Sequence, residues 1–168
     1  SSGYMTSVVD RNGNTISFAY NGSNQVTTIT DPFSRTYSVS YTSGMATSIT
    51  DYASHAATLA YTSGKLTSVT LPDPDGAGAQ AAPVFSYSYN GTTNLLTGFT
   101  DPGSHTTSYS YDSTSRRLSQ ITHPDATTIA IVPVQTIGLK TGTGNSLTAP
   151  SAAQGKITDE TSHDWKFR

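Results

Sequence analysis

Four histidines and a recurring aspartate are the residues of this 168-residue chain whose types and spacing could do chemistry. His55, His105 and His163 each stand four residues after an aspartate (Asp51, Asp101 and Asp159), and Arg35 holds the same place after Asp31. A histidine column could ligate zinc, and paired carboxylates could hydrolyse a glycosidic bond. Spacing argues against both. Residues that recur once per hairpin lie two strands apart, about 9.5 Å, whereas zinc holds its ligands at about 2 Å. Neighbouring aspartates could just reach the roughly 5–9 Å of a glycosidase pair, yet each sits at the start of a turn, where an Asp side chain bonds to its own backbone. The expected role of these residues is to build turns, each His or Arg pairing weakly with its own Asp. The chain is read as non-enzymatic, with no metal and no cofactor.

Other chemistry is thinner. Asp73 and Asp75 before Gly76 hold the start of a calcium loop without its later acidic ligands. No Gly-x-Ser-x-Gly elbow accompanies the abundant serines. With no cysteine, disulfides, thiol catalysis and thiolate metal sites are excluded. Nine scattered Lys and Arg and a net charge of −2 give no cationic stripe for nucleic acid. No apolar run approaches the roughly 20 residues that span a bilayer as a helix, so neither nucleic acid nor membrane insertion is expected.

Ten tyrosines in a chain with only 12% charged residues are the stronger signal. Tyr20, Tyr41, Tyr61, Tyr89 and Tyr111 recur as a column whose rings can bury their bodies while their hydroxyls stay wet or bonded. Packing is the first role expected of them, and stacking on carbohydrate the second. Asn21-Gly22-Ser23 and Asn90-Gly91-Thr92 match the glycosylation sequon in turns, where Asn-Gly is also the favoured hairpin sequence.

These residues recur because the chain repeats about every 20 residues. Val26-Thr27-Thr28-Ile29-Thr30-Asp31-Pro32, then Tyr37-Ser38-Val39-Ser40-Tyr41 and Thr42-Ser43-Gly44, returns as Ser48-Ile49-Thr50-Asp51 with Leu59-Ala60-Tyr61-Thr62-Ser63-Gly64. Copies begin at Met5, Leu66, Leu96 and Leu118 as well, with a partial seventh at Ile157. The second half of each copy alternates apolar and polar residues, the mark of a half-buried strand. The first half spaces apolar residues three apart, which predicts a strand with a bulge. Asp-Pro divides the halves; Asn-Gly or Ser-Gly divides the copies. Two strands of about six residues and two turns of about four fill the period. The fold is therefore all-β, a run of consecutive antiparallel hairpins, with six repeats over 1–132. An excursion at 71–83 forms a hairpin tip, 133–155 is an irregular loop or strap, and 156–168 holds the partial repeat. Aromatics at 10% supply apolar area for a core.

The copies resemble the YD or Rhs repeat, as in Tyr109-Ser110-Tyr111-Asp112, Arg117-Leu118, Ile121-Thr122 and Pro124-Asp125, with Ser115 in place of the signature's glycine. The resemblance implies a continuous spiralling sheet of hairpins, which in the family forms a hollow shell around a carboxy-terminal cargo, often a toxin. The chain's two ends also match each other. Phe167-Arg168 followed by Ser1-Ser2-Gly3 mimics Val39 to Gly44 with one residue missing. Head-to-tail pairing with copies of itself or with adjoining repeats of the same polypeptide is expected, with Tyr4, Met5, Trp165 and Phe167 at the edges. The reading is a structural repeat unit of a large secreted or cell-surface protein, extending into a filament or sheet. The alternatives are part of a toxin shell and a carbohydrate-binding module.

Overall fold

The computed structural model describes residues 3–76, 78–132 and 155–167. The expected strap at 133–155 lies outside these, except for Gly155, which opens a strand. The described residues form only β-strands and their connections.

The chain divides into two compact units, Ser1–Ser86 and Tyr87–Arg168. The first holds β1 (Ser7–Val9), β2 (Thr15–Tyr20), β3 (Val26–Thr30), β4 (Thr36–Thr42), β5 (Met45–Thr50), β6 (Ala56–Thr62) and β7 (Lys65–Thr70), and the start of β8 (Val84–Tyr89). The second holds the end of β8, then β9 (Leu96–Thr100), β10 (Thr106–Tyr111), β11 (Leu118–Thr122), β12 (Thr128–Val132), β13 (Gly155–Thr158) and β14 (Asp164–Phe167). Within each unit every strand lies beside its neighbours in the chain. In the first unit the stretch 71–83 closes the β7–β8 hairpin, where the Leu71 N–H donates to the Pro83 carbonyl at 2.9 Å.

The turns explain the period. Inside every copy except the one interrupted at 71–83 the connection is a five-residue turn, such as Asp31–Arg35, closed by Asp31 N–H to the Arg35 carbonyl and Ser34 N–H to the Asp31 carbonyl, both at 3.0 Å. The same two bonds recur in the turns that begin at Asp10, Asn21, Asp51, Asp101, His123 and Asp159. The fourth residue of each turn is left-handed, as in Ser34 (φ 63), Ser54 (φ 70) and Ser104 (φ 66). This is the type I turn with an αL residue that reverses a strand in three residues. Between copies, Ser43-Gly44 (φ 51 and 80) and Ser63-Gly64 (φ 51 and 76) make two-residue turns with both residues left-handed, the twist that flanking strands require.

Bulges appear where the three-residue apolar spacing predicted them. The register slips between Ala19 and Tyr20, Ser40 and Tyr41, Ala60 and Tyr61, and Ser110 and Tyr111. The residue left without a partner is Thr27, Thr47, Thr67 or Ser119, always in the first-half strand. The threonine hydroxyls at 27, 47 and 67 donate across to the carbonyls of Ala19, Ser40 and Ala60 at 3.4, 3.4 and 3.2 Å.

The apolar area that composition offers for a core is used differently. Among the described residues no hydrophobic side chain is buried. A sheet built only from sequential hairpins within one unit has no second layer to close over its faces, so strands such as β4 and β10 alternate between exposed and half-buried while β3, β7 and β11 are half-buried throughout.

One turn residue is out of character. Ala126 stands at φ 66 in the His123–Thr127 turn, and alanine pays about 1–2 kcal/mol for that conformation. Ala126→Gly is expected to stabilise the protein by about 0.5–1 kcal/mol after the entropy cost of glycine, read as a raised urea midpoint. In the loop 112–117 the left-handed residue is Arg116 (φ 58), beside Ser115.

Candidate functional site

The aspartates cap their own turns. Asp31 Oδ1 accepts the backbone N–H of Phe33 at 2.9 Å and of Arg35 at 3.0 Å. Asp51 takes those of Ala53 and His55, both at 2.8 Å. The second oxygen meets the side chain four residues on. That partner is Asn14 on Asp10 at 2.6 Å, Arg35 on Asp31 at 2.6 Å, His55 on Asp51 at 3.0 Å and His105 on Asp101 at 3.1 Å. His163 departs from the pattern: its Nδ1 lies 2.7 Å from the Thr161 hydroxyl and 3.9 Å from Asp159. Where His123 replaces the aspartate, Asp125 takes over and accepts the Thr127 N–H at 3.0 Å.

These bonds favour the charged carboxylates. The His55 and His105 backbone N–H groups are the main cause that holds Asp51 and Asp101 below the ordinary value. At Asp31 desolvation pushes upward but is outweighed by the backbone and guanidinium bonds of Arg35. The groups are therefore engaged in turn geometry, and among the described residues no cluster of His, Asp or Glu could hold a metal ion. Asp73 Oδ1 accepts the Asp75 N–H at 3.1 Å, and Asp75 is lowered chiefly by the Gln80 N–H.

Tyr20, Tyr41, Tyr61 and Tyr111 stand at equivalent places beside the bulges. In the first unit Tyr20 is paired with Val26, Tyr41 with Ala46 and Tyr61 with Leu66; in the second, Tyr111 is paired with Leu118 and Tyr89 ends β8. Each is half-buried. The Tyr20 hydroxyl donates to the Met5 carbonyl at 2.7 Å and Tyr41 to Val26 at 2.9 Å. Each of these bonds reaches back fifteen residues, across the hairpin of its own copy. They tie the two halves of a copy together beyond the backbone ladder.

The sequon asparagines differ. Asn21 is half-buried, with its amide nitrogen donating to Gln25 Oε1 at 3.1 Å, whereas Asn90 is exposed. At the edges Tyr4 is 47%, Met5 58% and Trp165 62% exposed, and Tyr4 leans on Tyr20 with ring centroids 5.5 Å apart. Phe167 ends β14.

Two features escaped the sequence reading. The Arg35 guanidinium lies 4.9 Å from the Tyr52 ring and 5.4 Å from Phe33, with Tyr52 edge-on to Tyr37 at 5.9 Å. Bulky aromatics in the turn slots of adjacent copies were its only signal. In the second unit an open groove of about 430 Å³ runs between the loops 90–95 and 112–117, with Tyr109, Tyr111, Asp112, Arg116, Asn90 and Leu95 among its walls. Nothing local in the sequence marks it, because it depends on two loops being longer than the Ser-Gly turns.

The chain matches none of the curated proteins. Among solved structures it is similar to one described as "Crystal Structure of TcdB2-TccC3-TEV", with a TM-score of 0.59 and 13% identity. The match covers 99% of this chain and 9% of that one, so the chain spans about a tenth of that neighbour's length. At such identity the likeness is one of fold. The RHS Repeat family model matches residues 3–36 and 89–128. With the hairpin, the bulge and the tyrosine in place in both stretches, these parts of the chain match the RHS repeat.

Proposed function

We propose that this chain is a structural, non-catalytic section of a larger RHS wall, whose sheet edges are completed by adjoining repeats of the same polypeptide. The observation that carries this is the hairpin run itself. Backbone pairing between successive strands and tyrosine bonds across each hairpin hold it together, with no buried apolar core among the described residues. A closed shell is favoured over a filament because nearly the whole chain shares its fold with a short section of a much longer chain. Enclosure of a cargo and a secreted or cell-surface location follow from the family resemblance and belong to this proposal.

Negative-stain images of the native full-length polypeptide test it. Closed particles of uniform size are expected. Open-ended filaments that lengthen with protein concentration would overturn the shell and restore head-to-tail extension.

A further inference from the structure

We infer that Asn90 is a self-modifying site, losing its side-chain amide in the folded protein faster than the other two Asn-Gly pairs, Asn12-Gly13 and Asn21-Gly22. The reaction needs only water. The glycine nitrogen gives up its proton and attacks the asparagine Cγ, ammonia leaves, and a five-membered imide forms. One water molecule then opens that ring at either carbonyl, leaving aspartate or isoaspartate.

Sequence alone treats the three pairs alike, since each has glycine after asparagine. Their turns do not. The Gly13 N–H, which would have to act as nucleophile, is held by the Asp10 carbonyl at 3.1 Å. Among the described residues the N–H groups of Gly22 and Gly91 have no such partner. Asn21 is restrained in another way, by the bond from its amide to Gln25 at 3.1 Å and by partial burial. Asn90 is exposed, and a Cβ placed on Gly91 would meet nothing within 4 Å, so water reaches the pair.

The Asn90 side-chain oxygen, like that of Asn21, also accepts two backbone N–H bonds, from Thr92 at 2.9 Å and Thr93 at 2.8 Å. Negative charge gathers on that oxygen as Cγ becomes tetrahedral, and a pair of fixed N–H donors stabilises it there. The two products differ in consequence. Aspartate at 90 can cap the loop as Asp112 caps its counterpart, accepting the N–H groups of Thr114 and Ser115 at 3.2 and 2.6 Å. Isoaspartate lengthens the main chain by one carbon inside a loop closed by Asn90 N–H to the Leu95 carbonyl at 2.9 Å.

Incubation of the folded protein at mildly alkaline pH, followed by peptide mass mapping, tests the order. Asn90 is expected to convert about five- to tenfold faster than Asn12, the factor that one backbone hydrogen bond on the nucleophile imposes, with Asn21 between them. In urea the three rates should converge. Gly91→Ala, which the open space at that position accepts, should slow conversion at Asn90 alone while the circular dichroism spectrum stays unchanged. Conversion of Asn12 as fast as Asn90 in the folded protein, or the same ranking in urea, would overturn the inference.

Discussion

Tyr41→Ala is expected to destabilise the protein by about 2 kcal/mol, and Tyr41→Phe by about half of that. The ring is half-buried, so truncation forfeits part of the roughly 1.5–3 kcal/mol that full burial of a large side chain contributes. It also forfeits the hydroxyl bond to the Val26 carbonyl, a further 0.5–1.5 kcal/mol or so. The phenylalanine variant loses only that bond. Because the bond joins the two strands of one hairpin, and in a repeat array each hairpin supports its neighbours, the loss should show in the whole unfolding transition. Urea midpoints of the parent protein and the two variants measure it. Equal midpoints for the parent protein and Tyr41→Ala, with loss of saturable sugar binding in the variant, would give the tyrosine column to carbohydrate recognition instead of packing.

Acid should unfold the protein through its turns. The carboxyls of Asp10, Asp31, Asp51, Asp101, Asp112 and Asp159 are all lowered from 3.8 in the folded state. A group whose folded pKa lies below its unfolded value takes up protons more readily once unfolded. Its contribution is therefore complete above the unfolded value and is lost as pH falls through 3.8 and below. Six turns lose their charged caps over the same narrow window, so the effect is collective although each carboxyl is near solvent. Thermal midpoints should hold steady from about pH 7 to 5 and fall steeply below about pH 4. Asp51→Asn keeps an acceptor that does not titrate, as Asn21 does for the N–H groups of Ser23 and Gln25 at 2.9 and 3.0 Å. It should leave that turn insensitive to acid, whereas Asp51→Ala should lower the midpoint at every pH. A midpoint that stays flat through about pH 3 would refute the capping role.

Much of this was legible because it is local. Alternation over Tyr37 to Tyr41 marks a strand, and Asp31-Pro32 marks a turn. Apolar spacing of three in Val26 to Ile29 marks a bulge, which the register places at Thr27. The pairing of each aspartate with the residue four positions on could also be read, since both lie in one turn. At His163 the pairing is the weakest, 3.9 Å from Asp159, because the ring also meets the Thr161 hydroxyl at 2.7 Å. The left-handed residue of the loop 112–117 could not be read, because nothing in the sequence favours arginine in that conformation, and only the backbone angle of Arg116 reveals it.

The sequence by itself determined the period, the hairpins, the turn caps and the membership of the tyrosine column. All of these follow from bonds and side-chain alternation within a few residues. Only the tertiary structure decided where the Tyr41 hydroxyl finds its acceptor, that Arg35 lies on Tyr52, that two loops of the second unit enclose a groove, and that no hydrophobic side chain is buried among the described residues. Those features join residues fifteen or more positions apart through strand register. Register depends on where every bulge and turn falls at once, so no single copy of the repeat carries it.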